Sequence, residues 1–210
     1  MLDTVERVAV LQLCDALEMR LYKKGATIQF ENQVPSQVFF IKKGHVKIGS
    51  SVNGRFNLEF ILGKANLFGD AKITMGEEGK GYKAIAMSNC TLCIIDAMHL
   101  EDLMHRYPKL HSFILKTLGL RYHKIERRLH DILYKDAATR IGDFIYDFVL
   151  ENGHRSQNSI YAQNIFSHKD IARLTSTSRQ TVNNVISKLR KSVGLAYDRK
   201  EIRINMDLWS

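Results

Sequence analysis

The sequence lacks any apolar run approaching the roughly 20 residues of a membrane-spanning helix. Its first ten residues, MLDTVERVAV, carry acids early and show no signal-peptide pattern. These two absences predict a cytoplasmic address with no membrane partner. Cysteine is scarce and odd in number: Cys14, Cys90 and Cys93. Three thiols do not make the disulfide framework of a small secreted domain. Cys90 and Cys93 have C-x-x-C spacing, but they sit in the apolar stretch CTLCII, which reads as a buried strand. In a strand the two thiols point to opposite sides, and no further ligand pair at sensible spacing completes a metal site. Both are therefore expected as small buried hydrophobes, and no metal site is expected. Internal repeats and low-complexity segments are missing as well. No Ser-His-Asp arrangement, phosphate loop, metal-ligand cluster or paired-carboxylate motif stands out, which argues against an enzyme.

What the chain has is size and positive charge. Its 210 residues, 45% hydrophobic and 25% charged, can bury a substantial core in one or two soluble domains. The net charge of +9 and pI near 9.5 favour an acidic partner such as nucleic acid. The basic excess is spread over the chain, so charge alone does not place that partner.

From about Leu21 to Asp96 the segments ATIQF, QVFFIKKG, HVKIGSSV, FNLEFILG, YKAIAM and CTLCIID are short and rich in β-branched and aromatic residues. Gly25, Gly44, Gly54, Gly63, Gly69, Gly76, Gly79 and Gly81 punctuate them as turn residues. This spacing predicts a small β-roll or jelly-roll, preceded by a helix within Val5–Leu17. After Asp96 glycine nearly vanishes, and Pro108 is placed to open a helix. Leu115, Leu118, Tyr122, Ile125, Leu129 and Ile132 then alternate three and four apart, flanked by Arg121, Lys124, Glu126, Arg127 and Arg128. A seam of two apolar positions per heptad is narrower than a globular core demands, and it predicts a homodimer interface.

The chain restarts at Lys135, with Asp136 as an N-cap. A helix is expected over Ala138–Val149, ended by Asn152 and Gly153, and Ser156–Tyr161 reads as polar loop. Ser167 to Asp170 has the capping-box shape and opens a short helix with Ile171, Ala172 and Leu174 inward. Thr175, Ser176 and Thr177 form a tight turn. Ser178 caps a second helix from Arg179 to about Lys191, with Val182, Val185, Ile186 and Leu189 inward. Short helix, turn and second helix make a helix-turn-helix. Residues 194–204 follow as a strand-turn-strand wing. On the face opposite the apolar stripe, Arg179, Gln180 and Asn184 can pair with base edges in a major groove. Ser167, His168, Lys169, Thr177, Ser178, Thr181 and Lys188 are the expected phosphate contacts.

In order and proportion the chain resembles the Crp/Fnr family of bacterial transcription regulators. The most specific local match is Ser178-Arg179-Gln180-Thr181-Val182, which is similar to the start of that family's recognition helix. Asp136 falls at the family's hinge aspartate, and Asn66–Asp70 falls at its Gly-Glu phosphate-site turn. The resemblance implies an α+β architecture. An N-terminal cyclic-nucleotide-binding-like β-roll effector domain would cover residues 1–97, and the dimerisation helix and hinge residues 98–135. A C-terminal winged helix-turn-helix would cover 136–210. It also implies a homodimer on palindromic double-stranded DNA, with RNA polymerase as a further partner.

The departures from the family pattern concern the effector and the base code. Cyclic-AMP-responsive members hold the phosphate with an Arg-Ser pair, where this chain has Lys80 and Gly81. Their Gly-Glu is Gly69 and Asp70 here, and their adenine-contacting Thr-Ser pair is Ile125 and Glu126. A lysine replaces the charge but not the planar fork of arginine. The pocket therefore reads as inherited in shape and not competent for cyclic AMP. An iron–sulfur cluster is not expected either, because the three cysteines do not reproduce the clustered four-ligand set. The effector is unidentified. Ser176 stands where the family's turn has glycine, and Gln180 replaces a glutamate that accepts from cytosine, which shifts preference toward adenine or broadens it. The alternative is an effector-binding or protein-interaction module whose winged helix no longer binds DNA.

Overall fold

The computed structural model describes residues 17–28, 37–52, 55–69 and 82–208. The helix expected before the strands lies outside them. The chain folds as two compact units, Met1–Ile125 and Glu126–Ser210.

The first unit contains eight described strands: β1 (Glu18–Tyr22), β2 (Thr27–Ile28), β3 (Gln37–Lys43), β4 (Val46–Val52), β5 (Arg55–Leu62), β6 (Leu67–Gly69), β7 (Tyr82–Ala86) and β8 (Cys90–Asp96). They form two antiparallel sheets, ordered β1-β8-β3-β6 and β2-β7-β4-β5. The near-continuous apolar runs of β3 and β8 have a physical cause, because their sheet is covered on both faces. Phe39, Ile41, Cys90, Leu92 and Ile94 join the core with Ile28, Val46, Ile48 and Leu62 of the other sheet. Phe39 stacks on Phe68 at 5.2 Å there. The alternate residues Val38, Phe40, Cys93 and Ile95 pack instead with Leu100, Leu110, Phe113 and Ile114. Those four belong to α1 (Ala97–Arg106) and α2 (Pro108–Tyr134).

Cys90 and Cys93 thus lie on opposite faces of one strand, both buried. Burial pushes the Cys90 thiol up from its usual range. Two strands escaped the sequence reading. The side chains of β1 are exposed along four of five positions, so no alternation marks it. Leu67–Gly69 was expected as part of a turn, but it is a three-residue buried strand paired with β3. Gly69 is required there. A Cβ would stand 2.3 Å from Gln37 O, and φ is +133°.

In the second unit α3 runs Ala137–Asn152, three residues past its expected end. Gly153 closes it, though not as a left-handed cap: φ is −93°. Close approach explains this glycine, because a Cβ would meet Val149 O at 2.4 Å and Ile160 Cγ2 at 2.6 Å. The polar loop expected over residues 156–161 is in fact a hairpin of β9 (His154–Ser156) and β10 (Ser159–Gln163), turning through Gln157 at φ +49°. Only Ile160 and Ala162 of β10 are buried, too sparse a signal to read. Helix α4 (His168–Leu174), helix α5 (Arg179–Ser192), β11 (Ala196–Tyr197) and β12 (Glu201–Asn205) complete the unit. Its sheet is ordered β11-β12-β10-β9. Ile141, Ile145, Phe148 and Val149 of α3 are buried, as are Ile160, Ile171, Val182, Ile186, Ile202 and Ile204. Phe166 meets Phe144 and Phe148 edge-on, with ring centres 5.1 and 4.6 Å away.

Candidate nucleic-acid interface

Two short helices and the turn between them are set up by local hydrogen bonds. Ser167 Oγ accepts from Asp170 N, while Asp170 Oδ2 accepts from Ser167 N at 3.1 Å and from Ser167 Oγ at 2.6 Å. This is a complete capping box, and removing such a cap costs about 1 kcal/mol. At the far end, Thr177 N donates to Ala172 O at 2.8 Å and Thr175 Oγ1 to Ile171 O at 2.8 Å. Ser176 has φ +52°, so the serine occupies the left-handed region that glycine takes without strain. That costs about 1–2 kcal/mol.

Ser178 Oγ then accepts from Thr181 N at 3.0 Å and opens α5. Val182, Val185 and Ile186 are buried, and each such side chain contributes about 1.5–3 kcal/mol. Arg179, Gln180 and Asn184 are exposed, as is Lys188. Helix α5 therefore presents a polar start outward over an apolar anchor.

The other expected contact residues are more varied. Ser167 and Lys169 are exposed, and Thr177 and Thr181 are half-buried. The Ser178 and Thr181 hydroxyls lie 2.8 Å apart and hydrogen-bond each other. His168 Nδ1 shares a hydrogen bond with Asn183 Oδ1, joining α4 to α5 and leaving Nε2 as the ring's other nitrogen. In the wing, Asp198 Oδ1 accepts from Lys200 N at 2.6 Å and Glu201 N at 2.8 Å, which shapes the turn between β11 and β12. Arg199 and Lys200 are exposed at that turn.

Two arginines that the sequence reading did not single out as site residues hold the helix-turn-helix from behind. Arg140 of α3 donates to Thr175 O at 2.9 Å, to Ser176 O at 3.4 Å and to Lys135 O at 2.6 Å. Arg128 of α2 donates to Arg173 O at 2.8 Å. One sequence signal existed for Arg140. A cation near a helix N-terminus opposes the macrodipole, so it needs partners of its own.

Of the expected effector residues, Asp70, Lys80 and Gly81 lie outside the described residues. Gly69 ends β6, and Ile125 and Glu126 are exposed on α2. Arg121, also on α2, was read only as a charged flank. Its side chain turns into the β-roll, donating to Leu67 O at 2.6 Å and lying 5.7 Å from the Phe60 ring. Burial pushes its pKa down. Of the expected seam, Leu115 is 58%, Tyr122 60%, Ile125 46%, Leu129 59% and Ile132 40% exposed. Leu118 differs. It is half-buried against the helix–sheet core of its own unit.

Residues 19–107 match the cyclic nucleotide-binding domain family. The chain is 22% identical over 202 residues to the CRP-like cAMP-activated global transcriptional regulator of Mycobacterium tuberculosis, covering 96% of this chain and 90% of that protein. With the global nitrogen regulator of Synechococcus elongatus the identity is 23%, over 90% of this chain and 86% of the relative. In fold it is similar to a cyclic nucleotide-binding domain containing protein from Listeria monocytogenes. The TM-score is 0.77 at 20% identity, covering 96% of this chain and 98% of that one. Residues 19–107 therefore form a cyclic nucleotide-binding-type domain, and over most of its length the chain is similar in sequence to these transcriptional regulators. No described helix is long and apolar enough to cross a membrane.

Proposed function

We propose that this chain is a sequence-specific DNA-binding transcription regulator that acts in the cytoplasm as a homodimer on a palindromic operator. The observation that carries the reading is the polarity of α5. Its stripe of Val182, Val185 and Ile186 is buried, and its capped first turn carries Arg179 and Gln180 outward. Arg179 pairs with guanine, and Gln180 and Asn184 with adenine, while Ser167, Lys169, Ser178 and Lys188 meet phosphates. Dimerisation uses the exposed apolar stripe of α2, and two copies of α5 then read half-sites about 34–36 Å apart. The effector is not cyclic AMP, since Lys80 and Gly81 replace the phosphate fork and Ile125 and Glu126 the adenine partners. RNA polymerase is the expected protein partner. The chain performs no catalysis.

The test is selection of bound sites from random duplexes, followed by salt titration of binding. A palindromic consensus and a steep fall of affinity with salt are expected. No enriched sequence and a flat salt response would instead identify an interaction module whose winged helix has left DNA behind.

A further inference from the structure

The turn that launches α5 depends on a group outside the helix-turn-helix. Thr175 O and Ser176 O accept from no backbone amide among the described residues. Both accept from Arg140, whose three guanidinium nitrogens each donate to a different carbonyl: Nε to Thr175, Nη2 to Ser176 and Nη1 to Lys135. Lys135 lies between the end of α2 and the Asp136 cap of α3, so one planar group spans the hinge and the reading turn. Ser176 adds to the need for a clamp. A serine in the left-handed region persists only where its surroundings over-determine it.

We propose that Arg140 is the positioning residue of the recognition helix, fixing the Thr175–Ser176 turn to the hinge carbonyl of Lys135. Arg128 of α2 holds the end of α4 just before that turn, through Arg173 O. The inference rests on the DNA-reading function proposed above. Ser178 caps α5 two residues after Ser176, so a slipped turn displaces Arg179 and Gln180 before anything else. A base contact tolerates only about half an ångström of such error. Lysine cannot substitute, because a point charge does not span three carbonyls. Arg140 therefore serves specificity without touching DNA.

The experiment uses the full chain with Arg140→Ala and Arg140→Lys, each alone and combined with Ser176→Gly. Hydrogen exchange reads the amides of Ser176–Thr181, with Ile202–Ile204 of the wing as reference. Binding is measured on a selected and on a scrambled duplex. In both single variants, turn amides should exchange roughly tenfold faster while wing amides are unchanged. Affinity for the selected duplex should fall roughly tenfold, and for the scrambled one by less than about threefold. Ser176→Gly removes the left-handed strain, so the loss on adding either Arg140 change should be smaller in that background. Wild-type behaviour of Arg140→Lys, equal losses on both duplexes, or unchanged exchange in the turn would each overturn the proposal. Should Arg140→Ala not fold, Arg140→Lys carries the comparison, since it keeps charge and reach. If the unaltered chain binds no duplex at all, the DNA-reading function fails, while the exchange comparison still decides the clamp.

Discussion

Arg179 and Lys188 stand on one helix nine residues apart, half a turn from each other about its axis. Arg179 is the first residue after the Ser178 cap, and Lys188 is exposed in the helix's last turns. Arg179→Ala should cost about 1–3 kcal/mol on the selected site and much less on random DNA, because a bidentate base contact discriminates. Lys188→Ala should weaken both alike and flatten the salt slope by about one unit. Binding to matched and scrambled duplexes at several salt concentrations separates the two roles. Two carboxylates carry a pH signature at the same scale. The backbone amide of Thr139 holds the Asp136 carboxyl below its usual range, and the amides of Glu201 and Lys200 do the same for Asp198. A depressed folded-state pKa gives stability that is present above the unfolded value of about 3.9 and is lost as pH falls through the folded one. Asp136→Ala and Asp198→Ala should therefore melt earlier than wild type at neutral pH, and the gap should close below about pH 4. Melting curves across that range check it.

At the scale of the element, helix α2 shows what pattern reveals and what it conceals. The three-four spacing from Leu115 to Ile132 was legible because a helix repeats its own geometry, and five of its six seam residues are at least 40% exposed. Leu118 was misread as seam alone, since its burial depends on a sheet far away in sequence. Replacing Ile125 and Leu129 by glutamate should place unpaired charge in the seam and yield monomer in sedimentation. A dimer of native stability would reassign the interface. The caps at Asp136, Ser167 and Ser178 were legible for the same local reason as the heptads. Strands β1 and β6 were not, the first too exposed and the second too short to alternate. Arg140's place near a helix N-terminus signalled that it needs partners, but not which ones, because Thr175 and Ser176 are 35 and 36 residues away.

For the whole molecule, the sequence carried the order of parts, and the structure returns the β-roll, long helix and winged helix-turn-helix in that order. The effector side is less legible, because a ligand pocket is assembled from residues distant in the chain. Cyclic AMP should give no binding heat at micromolar concentrations in calorimetry, for want of the arginine fork and the Thr-Ser pair. Saturable micromolar binding would restore a cyclic nucleotide effector. The strand that carries Cys90 and Cys93 offers another handle. One thiol is sealed between the two sheets and the other between sheet and helices, so a single strand holds an independent reporter on each side. In a Cys14→Ser background, a thiol reagent can react at Cys90 only when the sheets part, and at Cys93 only when α1 and α2 lift. Comparing the two labelling rates would then show whether the β-roll breathes as one body or sheds its helices first.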